Sequence, residues 1–251
     1  MNQAHPAGSG VSATPGGQRL AHGSSDDQKM NVSRLARMSR RPRLVSVLAA
    51  VLLAGAVIAG VPETRHSILR SAGWVLVAHD PLEPADIIVI TLGADRAGVL
   101  EAADLVHVGI AQRVAVFADP PNSADREFLR RGIPYEDAAA RSTRQLRVLG
   151  VTTIEQIPRV NGTEAEGQVL PRWCDQHQFR SVVVVSAGDH SRRLRRVLDR
   201  AMRGHPTKIM VRPARHSTFD PDRWWESRDG ARTMIIELQK LLFDIVRHPL
   251  S

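Results

Sequence analysis

Apolar residues in this 251-residue chain fall into two kinds of run. Some are short and unbroken. Asp86 to Leu92 (DIIVITL), Arg113 to Ala118 (RVAVFA) and Ser181 to Ala187 (SVVVVSA) are of this kind. An unbroken apolar strand is buried on both faces, whereas a half-buried strand alternates. Between these runs the spacing changes to three and four. Val99, Ala102, Ala103 and Val106 recur in this way up to Gly109, and Leu194, Val197, Leu198 and Ala201 do so within Ser191 to Arg203. That is the stripe of an amphipathic helix. Further helices are predicted over Asp125 to Arg131, Tyr135 to Leu149, Thr163 to His177 (interrupted near Pro171) and Trp224 to Val246. Ile154 to Val160 and Lys208 to Val211 complete the strands, and Pro158 marks the former as an edge. Strands alternating with helices predict one α/β domain, a three-layer, Rossmann-like, doubly wound and mainly parallel sheet. In such sheets ligands sit beyond the carboxyl ends of the strands.

The N-terminal third follows another pattern. The first 30 residues are Gly-, Ser-, Pro- and Ala-rich with few large apolar side chains, and they bury too little to offset chain entropy. Residues 1–43 therefore read as a disordered basic tail. Leu44 to Val61 is then an uncharged, almost wholly apolar segment of 18 residues, the minimum for a helix crossing a hydrocarbon core. The arginines before it put the N-terminus in the cytoplasm and the C-terminal domain outside, so the chain reads as a single-pass plasma-membrane protein. Ala54-Gly55-Ala56 has the small-x-small form of a cleavage site, Ser39-Arg40-Arg41 gives a weak twin-arginine signal, and Met38 offers an alternative start. Residues 62–84 read as a linker and 85–251 as the α/β domain.

The net charge of +8 first suggests a nucleic-acid partner. Its distribution removes that suggestion. Residues 1–43 hold seven Lys+Arg against two Asp, leaving 27 against 24 for the remainder. Arg196, Arg200 and Arg203 fall outside the apolar stripe of their helix and read as a solvated face, and a helix packed on a sheet does not enter a groove. A lone Cys174 excludes an internal disulfide.

The strand ends carry the candidate chemistry. After the first strand come Gly93, Asp95 and Arg96 at a helix start, where backbone N–H groups favour an anion. Asp95 reads equally as a plain N-cap. This is neither a dinucleotide fingerprint nor a phosphate-binding P-loop. Thr163 and Glu166 fit a capping box, which by itself accounts for both. Ser186 ends the valine strand but lacks the preceding glycine of a nucleophile elbow. His190, Arg192 and Arg193 lie in or before the first turn of the next helix, where clustered positive charge opposes the helix dipole unless an anion compensates. No HExxH spacing and no paired cysteines point to zinc, so no metal is implied.

In order and spacing these pieces resemble the envelope-associated YdcF-like family that includes SanA and ElyC. The resemblance rests on Ala85 to Gly93 (ADIIVITLG) with Arg96, Gly109-Ile110-Ala111, Thr163 with Glu166, and Val184 to Arg193 (VVSAGDHSRR), which aligns His190 and Arg193 with the family's His and Arg. It extends over roughly Pro81 to Val246, including the terminal WWESRDGARTMIIELQKLLF. Ala94 replaces a family glycine, and Asp119-Pro120-Pro121 stands where Ser-Gly is common. The resemblance implies a strand-end pocket lined by the first βα turn, Thr163, Glu166, Ser186, His190 and Arg193. It also implies a role in envelope biogenesis. The expected ligand is an anionic, phosphorylated envelope precursor, held by Gly93, Asp95, Arg96, Thr163, Ser186, Arg192 and Arg193. His190 would be general acid/base with Glu166 as its partner, and no cofactor is needed. A non-catalytic scaffold or regulator is the alternative. A further one is a protein binding S-adenosylmethionine, as one cytoplasmic relative does, or a nucleotide.

Overall fold

The structure is a computed structural model and describes residues 40–249. The chain divides after Gly60 into two compact units. The first contributes helix α1 (Arg40–Gly60). Among the described residues no helix is long and apolar enough to cross a membrane. Part of the expected span, including the side chains of Leu44, Leu52, Ala54 and residues 57–59, lies outside the description. The basic tail lies almost wholly outside it.

The second unit contains a five-stranded parallel sheet: β1 (Ile87–Ile90), β2 (Arg113–Phe117), β3 (Thr153–Ile157), β4 (Ser181–Ser186) and β5 (Lys208–Pro213). Their order is β3-β2-β1-β4-β5, all neighbours parallel, with Val89 opposite both Ala115 and Val184. This is an α/β, Rossmann-like arrangement. Helices α2 (Pro62–Val75), α3 (Asp95–His107), α4 (Ser123–Arg130), α5 (Ala138–Val148), α6 (Thr163–His177), α7 (Ser191–Ala201) and α8 (Arg228–Arg247) accompany it.

The unbroken apolar strands are buried on both faces because successive side chains point to opposite sides. Ile88, Ile90, Val114, Val116, Val183 and Val185 pack with Val99 and Ala102 of α3 and Leu146 of α5. Ile87, Val89, Ala115, Val182 and Val184 pack with Leu170 of α6 and Leu194 and Leu198 of α7. The helices following β1 and β4 thus lie on opposite faces. The strand order reverses between these two strands, and a crevice opens at their carboxyl ends.

Several boundaries differ from expectation for local reasons. Residues 62–84 contain α2, and Leu76, Val77 and Ala78 after it are buried, so this segment is not a free linker. Gly73 of α2 fits there because a Cβ would lie 2.2 Å from the Pro221 carbonyl oxygen. Helix α6 runs unbroken through Pro171. The terminal helix starts at Arg228, because Ser227 is extended and its hydroxyl accepts from Gly230 N–H. Strand β3 ends before Pro158 and is an edge. Of the three arginines expected on a solvated face, Arg203 just beyond α7 is exposed, but Arg196 and Arg200 are not. Arg196 Nε donates to Asp244 of α8 at 2.6 Å and Arg200 Nη2 at 2.7 Å, and each guanidinium side chain is only 17% exposed.

Candidate functional site

The strand-end crevice is a cavity of about 750 Å³. Its floor is Ile90 to Gly93 and Val116 to Phe117, and its walls come from the loops and helix starts after β1, β2, β3 and β4, together with Glu237 and Lys240 of α8. Arg96, Arg141, Arg144, Arg193 and Lys240 face Asp95, Asp119, Glu166, Asp189 and Glu237 across it. Formal charge therefore balances, and the protonation of the carboxyls decides the net sign.

Two of these carboxyls have pKa values above the ordinary carboxylate range. Burial pushes Glu166 up, and the Leu92 N–H with the nearby His190 and Arg193 only partly offsets this. Burial also raises Asp189, and the charge of Glu237 adds to that rise. Glu237 goes the other way. Burial alone would raise it, but His190, Lys240 and Arg193 outweigh burial and hold it down at about 2. Asp119 is likewise lowered. Its burial is overcome by the Ala138 N–H, which donates to Oδ1 at 2.5 Å, and by Tyr135.

His190 is the centre of the site. It is 8% exposed, and both ring nitrogens have protein neighbours. Nε2 lies 3.1 Å from Thr163 Oγ1, and Nδ1 lies 2.8 Å from Arg193 Nη2. A guanidinium only donates, so Nδ1 accepts; the neutral ring then carries its proton on Nε2 and donates to the Thr163 hydroxyl. Glu237 Oε2 lies just beyond bonding distance, 3.7 Å from Nδ1 and 3.6 Å from Arg193 Nη2, while its Oε1 accepts from Lys240 at 2.6 Å. Glu237 Oε2 and Arg193 Nε are buried without any hydrogen-bond partner among the described residues.

The site gathers most of the residues expected from the sequence but gives several a different task. Thr163 and Glu166 form no capping box. The N-cap is Gly162, at a φ of +84°, and it has no side chain with which to cap. Thr163 turns to His190 instead, and Glu166 Oε1 accepts from Leu92 N–H at 2.7 Å, joining the start of α6 to the turn after β1. Glu166 is therefore no hydrogen-bond partner of His190. Asp95 reaches the cavity but makes no capping bond, and its φ of 44° with ψ of −141° is a strained backbone for a residue with a Cβ. Arg96 lines the cavity and is exposed. Gly93 packs beside His190, where a Cβ would sit 3.4 Å from Cδ2.

Two expected ligand residues lie elsewhere. Ser186 is fully buried, outside the cavity lining, and its hydroxyl has no partner among the described residues. Its strand position turns it into the interior rather than the crevice. Arg192 is drawn off by the chain before β1, donating through Nη2 to the Val77 carbonyl at 2.6 Å and through Nε to Val75. Glu237 and Lys240 were not anticipated. The signal was present, since Glu237 and Asp244 fall on the buried stripe of α8 with Met234 and Leu241. A carboxylate on an apolar stripe must find a partner.

No family model and no curated protein sequence matches the chain. Among solved structures it is similar to a universal stress protein in complex with cAMP, at 13% identity over 53% of this chain and 99% of that one, with a TM-score of 0.33. It is also similar to the reductase domain of an aureusimine biosynthetic cluster, at 13% identity and a TM-score of 0.25, covering 49% of this chain and 39% of that one.

Proposed function

We propose that this chain is a membrane-anchored, extracytoplasmic protein of the YdcF-like envelope family that binds and processes an anionic, phosphorylated envelope precursor in the strand-end cavity. One observation carries the reading. His190 sits at the switch point with a hydroxyl on one ring nitrogen and a guanidinium on the other, inside a cavity ringed by Arg96, Arg141, Arg144, Arg193 and Lys240. A histidine so placed is suited to proton transfer, and the cations are suited to a phosphate or pyrophosphate. Helices α3, α6 and α7 all begin at this cavity without a side-chain cap; the Gly188 and Leu76 carbonyls take the first donors of α7, and those of α3 and α6 face no capping side chain that would compete with an anion.

The membrane part of the reading is supported by sequence pattern and by α1, whose side chains Val45, Val47, Leu48, Val51 and Leu53 are exposed. A helix surface of that kind is unfavourable in water. An exported domain meets no pool of S-adenosylmethionine, so that ligand is not proposed.

The test uses the full chain in detergent with polyprenyl phosphates and nucleotide-sugar precursors as candidate ligands. Binding or turnover lost in His190→Ala, with the thermal transition intact, supports the reading. Turnover unchanged in that variant removes the catalytic role. A topology reporter fused after Ser251 decides the compartment, and a cytoplasmic signal overturns it.

A second reading, a non-catalytic scaffold, draws on α8, where Ile235, Leu242, Phe243 and Val246 are exposed. Under that reading substitutions on this face disturb the envelope, whereas His190→Ala does not.

A further inference from the structure

We propose that Arg193 is a ligand-sensitive gate on His190, and that Glu237, not Glu166, is the carboxylate that positions His190 for proton transfer with the Thr163 hydroxyl. The gate deepens the anion-pocket reading and rests on it for the nature of the ligand that opens it.

The argument starts from the two nitrogens of one ring. Nδ1 has room for one close partner and two candidates near it. Arg193 occupies the position at 2.8 Å, and Glu237 Oε2 waits at 3.7 Å. These partners have opposite consequences. With the guanidinium donating to Nδ1, the neutral ring keeps its proton on Nε2, and Nε2 cannot accept from Thr163. With Glu237 as partner, the proton moves to Nδ1 and is donated to the carboxylate. Nε2 then presents a lone pair to Thr163 Oγ1, 3.1 Å away. This second state is the arrangement of hydroxyl, imidazole and orienting carboxylate in which the imidazole acts as a base. The proton of Thr163 Oγ1 passes to Nε2 as the Oγ1 electron pair bonds to the phosphorus of the bound ligand; the imidazolium, held by Glu237, returns the proton to the oxygen that leaves.

Two unpartnered groups are ones a second state would complete. Arg193 Nε and Glu237 Oε2 are buried and make no hydrogen bond among the described residues. Buried polar groups are seldom left unpaired, and each that is calls for a reason. Both satisfied partners emerge if Arg193 swings toward an anion in the cavity. The guanidinium then binds the anion, and Glu237 Oε2 closes on the vacated Nδ1. Arg193 lines the cavity, so the movement is a side-chain rotation rather than a rearrangement of α7. The pKa of Glu237, held down at about 2, keeps it ionised and ready to accept. Lys240, bonded to the other oxygen, anchors it during the exchange. The base is thus withheld until a negatively charged ligand is present.

The ring itself reports the outcome. In the full chain labelled with 15N-histidine, the His190 signals are assigned against His190→Gln, and Nδ1 and Nε2 are read separately. The unliganded wild type is expected to show the proton on Nε2. Arg193→Met removes the gate without any ligand, and its ring is expected to carry the proton on Nδ1. Arg193→Met combined with Glu237→Leu is expected to lose that preference. Inorganic pyrophosphate added to wild type should shift the ring as Arg193→Met does. A wild-type ring already protonated on Nδ1, or an Arg193→Met ring unchanged from wild type, overturns the gate. Pyrophosphate that binds without moving the proton overturns it too. Should Arg193→Met fail to fold, the wild-type tautomer alone still decides. Absence of pyrophosphate binding counts against the anion-pocket reading, while the ligand-free comparison continues to judge the Arg193–Glu237 exchange.

Discussion

Replacing Glu166 separates two accounts of the same residue. Its Oε1 accepts from Leu92 N–H at 2.7 Å across the start of α6 and the turn that forms the cavity floor. Glu166→Ala leaves that N–H without a partner. An unsatisfied, largely buried donor costs about 1–3 kcal/mol, and the lost packing of a side chain that is 3% exposed adds to it. Taking about 3 kcal/mol in total, and about 2–4 °C per kcal/mol for a unit of this size, the transition should fall by about 6–12 °C. Glu166→Gln keeps an acceptor and removes a charge that burial disfavours.

Its effect has a defined pH course. The folded pKa is raised above the ordinary 4.5, so the folded state holds the proton more tightly than the unfolded chain. Wild type consequently loses stability as pH rises from the unfolded pKa to the folded one, and the loss is complete above the latter. Glu166→Gln avoids this loss. Its transition should lie at or above that of wild type at about pH 8, and the gap should narrow toward about pH 5. Thermal unfolding of the full chain by circular dichroism across this range reads both variants. Glu166→Gln falling as far as Glu166→Ala, or Glu166→Ala matching wild type, refutes the bridging role.

Glu101 is fully buried and receives Arg212 Nε at 2.8 Å and Arg215 Nε at 2.9 Å. Burial raises its pKa, yet these guanidiniums outweigh burial and lower it overall. Because Arg215 is half-exposed, Glu101→Gln should cost about 2–3 kcal/mol rather than the upper range for a broken buried pair. Here the sign reverses. The contribution is present above the unfolded pKa and lost as pH falls through the lowered folded one, so the deficit of Glu101→Gln measured by thermal unfolding should shrink in acid. Asp244→Asn removes the charge that holds Arg196 and Arg200, and limited proteolysis should release α8 faster at the same temperature. Cys174 is fully buried, and burial pushes its thiol up to about 12, so alkylation at neutral pH should follow unfolding only.

The fold was legible wherever a residue's environment follows from its immediate neighbours. Ile87 to Ile90 and Val182 to Val185 announce strands buried on both faces, and the sheet has that form. Boundaries were less legible because they depend on single caps. The side chains of Asn122 and Asp125 form a capping box at α4, and Asp137 starts α5 three residues after Tyr135 by accepting from Ala140 N–H. The α7 arginines show the limit of a helical wheel. Arg196 and Arg200 lie off the apolar stripe, but another helix covers that flank through Asp244, 44 residues beyond Arg200. No local pattern encodes such a partner.

At the site the same limit acts on Thr163 and Glu166. A capping box is a local solution for donors that every helix start leaves open. In α4, α5 and α8 local side chains supply it. In α6 the two residues fitted for it are spent on His190 and Leu92, and in α3 and α7 the residues before the helix are Ala94 and His190, which make no side-chain cap bond. Local propensity is thus set aside at the helices that follow β1, β3 and β4, all opening on one cavity, and satisfied at helices α4 and α8, which begin elsewhere. Helix α5 also reaches the cavity through Ala138, but Asp119 and Asp137 already accept from its first turn. The omission therefore follows α3, α6 and α7. At α7 backbone carbonyls fill the gap, with Ser191 N–H on Gly188 and Arg192 N–H on Leu76, so α3 and α6 are the starts left open to an anion, and the guanidiniums of Arg96 and Arg193 stand over the same space. The departure from the local rule, more than any single motif, is what supports the proposal of a ligand at this end of the sheet.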